Sequence, residues 1–143
     1  MLTIRVNGQP APQGSKTRGR NGGLYEASKK VGPWRDAVRT ETQHAIEAEP
    51  FGRGSDPAAV RIRFYLPRPA GHYGSGRNRG RLRASAPRYP AARPDLDKLC
   101  RSTLDGLAEG GAFTNDGQVV ELTASKHWAD ECPPGATIEL ETR

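Results

Sequence analysis

The chain has few cysteines and lacks any long apolar run. Its two cysteines, Cys100 and Cys132, match no zinc-binding spacing, so we interpret them as ordinary thiols in a reducing compartment. No apolar stretch approaches the roughly 20 residues of a membrane helix. The N-terminus also lacks the apolar region of a signal peptide. We therefore expect a cytoplasmic protein without a membrane partner.

Hydrophobic and aromatic residues are also scarce, at 34% and 6% of 143 residues. This length and composition allow one domain with a modest core and long loops. We therefore expect residues 1–143 to form a single domain.

Acidic residues are missing from one part of the chain. Residues 68–93 contain seven arginines and no acid, whereas residues 94–143 contain ten acidic and four basic residues. Such a basic segment is typical of nucleic-acid contact, with a solvated loop as the alternative. The candidate DNA-binding residues are Lys16, Arg18, Arg20, Arg77, Arg79, Arg81 and Arg83.

Hydrophobic periodicity predicts an α+β domain. Apolar residues at every second position, as in Val60, Ile62 and Phe64, are typical of strands. Apolar residues three or four positions apart indicate helices. We expect a mixed sheet of about four strands with two helices packed on it. The loops at 9–32 and 67–94 are expected to be irregular, and the second to be mobile in isolation. The pattern predicts strands at about 2–7, 60–66, 118–128 and 136–142 and helices at about 33–49 and 97–109.

Two aspartates precede the second predicted helix. Asp95 and Asp97 are two residues apart, so in an extended segment their carboxylates point the same way. Neighbouring carboxylates repel each other unless a cation lies between them, and hard oxygen ligands favour Mg²⁺ or Mn²⁺. The alternative is that Asp97 caps the helix and Asp95 is a solvated loop residue.

A third aspartate, Asp116, lies in an Asn-Asp-Gly turn sequence. We expect the second helix and the glycine-rich return to bring the chain back to a strand whose start lies beside Asp95. A divalent ion held by three aspartates in a basic protein indicates phosphodiester hydrolysis. The alternative is a turn aspartate. Asp105 is about 12 Å along the helix from Asp97, too far to share the ion.

Two cations, Lys98 and Arg101, lie in the first turn after Asp97. Positive charge is unfavourable at a helix N-terminus unless a phosphate or carboxylate compensates for it. They are therefore candidate phosphate-binding residues, with ordinary surface charge as the alternative.

Taken together, these motifs resemble the RusA family of Holliday junction resolvases, which is common in phages and prophages. The resemblance covers Asp95-Leu-Asp97-Lys-Leu-Cys-Arg101, Leu104-Asp-Gly-Leu107 and Asn115-Asp116-Gly-Gln118-Val119. Weaker likeness extends to Ile4-Arg-Val-Asn-Gly8-Gln-Pro10 and Pro12-Gln-Gly-Ser-Lys16 near the N-terminus and to Trp34, which opens the next predicted helix.

The resemblance implies a small homodimer of mixed α/β fold that cuts four-way DNA junctions with Mg²⁺. Asp95, Asp97 and Asp116 correspond to the family's three aspartates. Arg101 stands where the family has a lysine, so either Arg101 or Lys98 fills that role; Asn115 replaces the commoner aspartate.

The expected function is therefore the resolution of branched DNA, with an exposed edge of the first or last strand as the candidate dimer interface. The alternatives are a flap nuclease of broader substrate range and a non-catalytic phage DNA-binding protein.

Overall fold

The computed structural model describes residues 1–14, 29–52 and 54–143, together with the backbone of two short strands at Lys16–Arg18 and Leu24–Glu26. In chain order the elements are β1 (Leu2–Asn7), β2 (Lys16–Arg18), β3 (Leu24–Glu26), α1 (Val31–Ala48), β4 (Ala58–Leu66), α2 (Leu96–Glu109), β5 (Val119–Trp128) and β6 (Gly135–Thr142). Among these residues no helix is long and apolar enough to cross a bilayer.

The main sheet has four strands in the order β1-β6-β4-β5. β6 pairs antiparallel with both β1 and β4, whereas β4 and β5 are parallel. With two helices, this mixed sheet confirms the predicted α+β fold. The last strand was expected to have a free edge; this was wrong, because β6 lies inside the sheet and the edges belong to β1 and β5.

The two helices pack closely through small residues of α2. A Cβ atom added to Gly106 would lie 2.8 Å from the Cβ of Val38, and one added to Gly110 would lie 2.6 Å from the Cβ of Thr42. Such distances leave no room for a side chain, which explains the glycine in the Leu104-Asp-Gly-Leu107 motif. The indole of Trp34 donates to Thr103 Oγ1 at 3.1 Å in the same buried interface. The core lies between these helices and the inward residues of β4 and β6.

The loop predicted at 9–32 contains regular structure, since β2 and β3 pair antiparallel from Lys16↔Glu26 to Arg18↔Leu24. The prediction that proline and glycine exclude any element there was wrong. The prolines of this segment, Pro10 and Pro12, precede β2 in the chain and do not interrupt its pairing.

Residues 67–94, which we call the arginine arm, have defined turns and are not the disordered segment expected. Two 3₁₀ turns lie at Ala70–His72 and Gly76–Asn78, and Tyr73 forms an antiparallel bridge with Leu82. The turns are held by backbone hydrogen bonds within the arm. The low content of apolar residues, on which the prediction of disorder was based, gives no information about such bonds. The arm connects β4 to α2 along one end of the sheet.

Candidate active site

Asp95 is the N-cap residue of α2. Its backbone is extended, and its carbonyl accepts from Leu99 N–H at 3.0 Å. Its carboxylate makes no capping hydrogen bond, is 54% exposed, and lies 3.7 Å from Lys98 Nζ. The alternative that Asp97 caps the helix was wrong, because the helix begins one residue earlier. The Asp95 carboxylate is therefore available to a ligand.

Asp97 lies in the first turn of α2 and is exposed. Negative charge is favourable there because it faces the positive end of the helix dipole. Burial, and then the nearby charge of Asp97, raises the pKa of the Cys100 thiol to about 11. Arg101 is exposed one turn further on, and its four-residue spacing places it on the same helix face as Asp97.

Asp116 begins a 3₁₀ turn, Asp116–Gln118, immediately before β5. Asn115 Oδ1 accepts from Gly117 N–H at 2.8 Å and caps this turn. The Gln118 side chain makes two hydrogen bonds that hold this turn. Its Oε1 accepts from Thr114 N–H at 2.7 Å, just before the turn. Its Nε2 donates to the carbonyl of Gly54 at 3.0 Å and so attaches the turn to the chain before β4. Gln118 thus positions the exposed Asp116, a role that sequence spacing did not reveal.

Asp95 and Asp97 lie two residues apart at the start of α2, whereas Asp116 lies elsewhere. Because Asp97 is inside the helix, the extended segment that was expected to point both carboxylates the same way does not form. Gln118 Nε2 also donates to Asp56 O at 3.0 Å, just before β4 starts, whereas Asp95 shares a cavity wall with Leu66, where β4 ends. The nine residues of β4 separate these sites by about 26 Å.

The strand that follows Asp116 therefore starts far from Asp95, contrary to expectation. Its other end is the one that lies near Asp95: Lys126 Nζ donates to Ala92 O at 2.7 Å and to Pro94 O at 2.8 Å. Within the described parts of the chain, no three His, Cys, Asp or Glu side chains are placed to hold one metal ion. A single chain thus presents a pair of carboxylates and a separate third one.

The arginine arm is held against the rest of the protein beside the Asp95–Asp97 pair. The Arg68 guanidinium donates to both oxygens of Asp130, at 2.8 and 3.0 Å, and its hydrogen bond lowers the pKa of that carboxyl below the ordinary value. Arg68 also donates to Pro87 O at 2.8 Å, as does the Trp128 indole at 3.0 Å. Arg68 and Asp130 are 62 residues apart, so no local pattern could reveal the pair.

The predicted DNA-contact residues of the arm are exposed at its tip. Arg77, Arg79 and Arg81 face solvent, whereas Arg83 uses its Nε to donate to Tyr73 O at 2.8 Å. For Lys16 and Arg18 the structure describes only the backbone of β2, and Arg20 lies outside the described residues. The exposed arginines of the arm tip and the carboxylate pair thus belong to one continuous stretch of chain, since the arm ends at Pro94, directly before Asp95.

A cavity of about 690 Å³ opens next to the carboxylate pair. Its lining includes Asp95 and Lys98, Trp128 and parts of the arginine arm, and residues that follow β1. The site therefore combines two carboxylates, cations and a concave surface.

Comparison with known proteins gives one family. The model of the family described as endodeoxyribonuclease RusA matches residues 7–141 of the 143. No curated protein matches the chain.

Proposed function

The chain belongs to the RusA endodeoxyribonuclease family, and from this we propose that it is a Mg²⁺-dependent nuclease that resolves four-way DNA junctions by paired strand cleavage. The observation that carries the proposal is the exposed pair of Asp95 and Asp97 at the start of α2, bordered by the arginine arm. A phosphodiester backbone needs both features, cations to bind it and carboxylates to hold a metal ion.

The donor chemistry suits Mg²⁺, with Mn²⁺ as a substitute, because carboxylate oxygens are hard ligands. Among the described residues of one chain, no three His, Cys, Asp or Glu side chains come together, so the set of three aspartates is incomplete within a single chain. Asp116 completes it if a second copy of the chain supplies that residue. When bound, the ion would polarise the scissile phosphate and lower the pKa of an attacking water.

The free edge of β5 is the surface that best suits a second copy. Val120 and Leu122 are 60% and 45% exposed. Leu122 is the register partner of buried Val60, so its side chain lies on the core face of the sheet. An apolar strip on the core side of an edge strand is stabilised when another strand extends the sheet and covers it.

Two-fold pairing of β5 with its copy supplies the missing carboxylate. In an antiparallel pair centred near Thr123, the start of one β5 lies beside the end of the other. The start of β5 carries Asp116, and the end is fastened to Pro94, next to Asp95. Asp95 and Asp97 of one subunit would thus meet Asp116 of the other.

Such a dimer has two sites related by its symmetry axis, as paired cuts in a two-fold junction require. In each site Arg101 and Lys98 would hold the phosphate and stabilise charge that develops on it. Arg101 remains charged throughout the reaction, since a guanidinium does not release its proton in proteins. We therefore assign Arg101, with Lys98, to charge stabilisation, and Arg101 takes no part in proton transfer.

The test is cleavage of a synthetic mobile four-way junction with Mg²⁺ or Mn²⁺, with EDTA as the control and duplex and flap DNA as competitors. We expect symmetric cuts across the junction that EDTA abolishes. On a supercoiled cruciform plasmid, we expect linear product within one binding event. Equal cleavage of flaps would instead indicate a broader branched-DNA nuclease. Binding without any metal-dependent cleavage would indicate a DNA-binding protein.

A further inference from the structure

We infer that the cavity beside Asp95 is a binding site for one unpaired base of the bound DNA strand. This rests on the proposed function, because it assumes that the strand's backbone lies across Asp95. It adds a contact that the metal site does not require. The site would hold the base next to the phosphate that is cut.

The size of the cavity suits a planar heterocycle and its sugar. Its volume of about 690 Å³ lies within the roughly 300–1,000 Å³ typical of small-molecule sites. Two of its lining residues, Asp95 and Lys98, belong to the proposed reaction site. A nucleotide bound here would therefore have its phosphate near the carboxylates.

Hydrogen bonds fix the cavity walls in place. On one side, Ser102 Oγ donates to Ala11 O at 2.7 Å within the buried interface, and Gln13 N–H donates to Lys98 O at 3.1 Å. These bonds attach the segment after β1 to α2. A cavity with attached walls binds its ligand without first having to order itself.

The part of the arm that lines the cavity is attached to the end of β5. Lys126 holds the carbonyls of Ala92 and Pro94, and Trp128 and Arg68 both donate to Pro87 O. The Arg68 guanidinium also lies 5.0 Å from the centre of the Trp128 ring, which fixes the indole. The arm's end is thus held against the sheet.

The chemistry of the lining matches a base with a phosphate attached. Rings form much of the lining, and its charged residues are Lys30 before α1, Arg93 at the end of the arm, and Asp95 and Lys98 at the start of α2. Tyr89 is 58% exposed, and the Arg88 guanidinium lies 5.8 Å from the centre of its ring. An exposed aromatic ring with an adjacent cation provides a stacking surface for a base. The ring-bearing residues that line the cavity include Pro10, Pro12, Pro69, Pro87, Tyr89 and Trp128.

Two sources of this ligand chemistry are a free mononucleotide and an unpaired base within DNA. The exposed arginines of the adjoining arm favour the second, since they provide contacts for a phosphate backbone that a mononucleotide lacks. A branch point offers bases that leave the stack at a lower free-energy cost than those inside a duplex.

The experiment is a double-mutant cycle in which the base is removed from the DNA and the Tyr89 ring from the protein. The quantity measured is the affinity for the junction in EDTA, where no cleavage occurs. Junctions carrying one abasic residue at each position around the branch are compared with the intact junction for wild type, Tyr89→Ala and Tyr89→Phe. We expect one abasic position to weaken binding by wild type about 5- to 150-fold, the range of a single stacked base. At that position the abasic residue should no longer weaken binding by Tyr89→Ala, whereas it should still weaken binding by Tyr89→Phe.

Leu82→Ala is the matched control, because Leu82 is exposed on the same arm and does not line the cavity. It should show the wild-type abasic pattern. Ala91→Phe, which places a ring into the cavity from an exposed position, should abolish the effect as Tyr89→Ala does.

An abasic pattern that is independent of Tyr89 would overturn the inference. The inference would also be overturned if a free mononucleotide occupied the cavity while no abasic position in the junction was coupled to Tyr89. The same preparations are assayed on intact junctions with Mg²⁺. If the intact junction is cleaved but no abasic position is coupled to Tyr89, the base-binding site is refuted and the proposed function stands. If the wild-type protein does not bind junctions at all, the proposed function is refuted as well.

Discussion

Asp95 and Asp116 lie at opposite ends of α2, with the nine-residue length of β4 between them. The first prediction uses this separation. Asp97→Asn and Asp116→Asn should each lower cleavage at least about 100-fold, the scale of losing one group that stabilises charge in the transition state. Junction binding should persist, because only negative charge near the phosphates is removed. Asp95→Asn should behave likewise.

Mixing the Asp97→Asn and Asp116→Asn proteins should restore nicking. Half of randomly formed dimers would be heterodimers with one intact site, giving about one quarter of the wild-type number of sites. The readout is nicked cruciform plasmid, with Asp105→Asn as the fully active control. A mixture as inactive as its parents would place the site within one chain or on other residues.

The second prediction concerns the two edges of the sheet. Leu122→Lys should prevent assembly, since it places a charge in the proposed β5 interface. Sedimentation should shift from about twice the 15.5 kDa chain mass to the single chain, with cleavage lost and circular dichroism unchanged. Thr3→Lys makes the same exposed change on β1 and should leave the dimer intact. The reverse result would move the interface to β1.

The third prediction concerns the arginine arm. Replacing Arg77, Arg79, Arg81 and Arg83 by glutamine should weaken junction binding and lower the slope of log affinity against log salt by about 0.9 for each phosphate that an arginine no longer neutralises. Arg61→Gln with Arg63→Gln is the control, since both pair with Glu139 on the sheet. An unchanged slope in the fourfold variant would show that the arm tip does not touch DNA.

The fourth prediction concerns the helix interface. Gly106→Ala should destabilise the protein by about 1–3 kcal/mol, the usual cost of overpacking, because its Cβ would contact Val38 at 2.8 Å. Gly32→Ala in α1 is the matched change, since a Cβ there meets nothing within 4 Å. It should be neutral or stabilise by up to about 1 kcal/mol. Urea denaturation of both variants measures the difference; equal stability would mean that the helices separate at little cost.

Local patterns were enough to predict the elements of the main sheet. The alternation of Val60, Ile62 and Phe64 predicted β4, and the structure confirms it at Ala58–Leu66. The pairing of β2 with β3 was missed, because strands of three residues produce no detectable periodicity. The insertion of β6 between β1 and β4 was also missed, since strand order depends on long-range pairing that no window of sequence contains.

The same division applies to the candidate site. Asp95 and Asp97 could be selected because two aspartates two residues apart near the start of a predicted helix are a local pattern, although Asp97 lies inside α2. The position of Asp116 could not, because a turn sequence does not tell at which end of a parallel strand the chain re-enters the sheet. Gln118 and Lys126 act on backbone carbonyls distant in sequence, so their roles appear only in the folded chain.

The position of β6 has a consequence for synthesis. Two of the three strand pairs in the main sheet include β6, which leaves the ribosome last of the six strands. Until residues 135–142 emerge, β1 has no neighbour and β4 can pair only with β5. Until then, folding during translation is limited to the helices, the β2–β3 pair and the β4–β5 unit, and the strand pairs that include β6 close last. An interrupted translation product would expose unpaired strand edges, which makes it prone to aggregation and a good substrate for proteolysis.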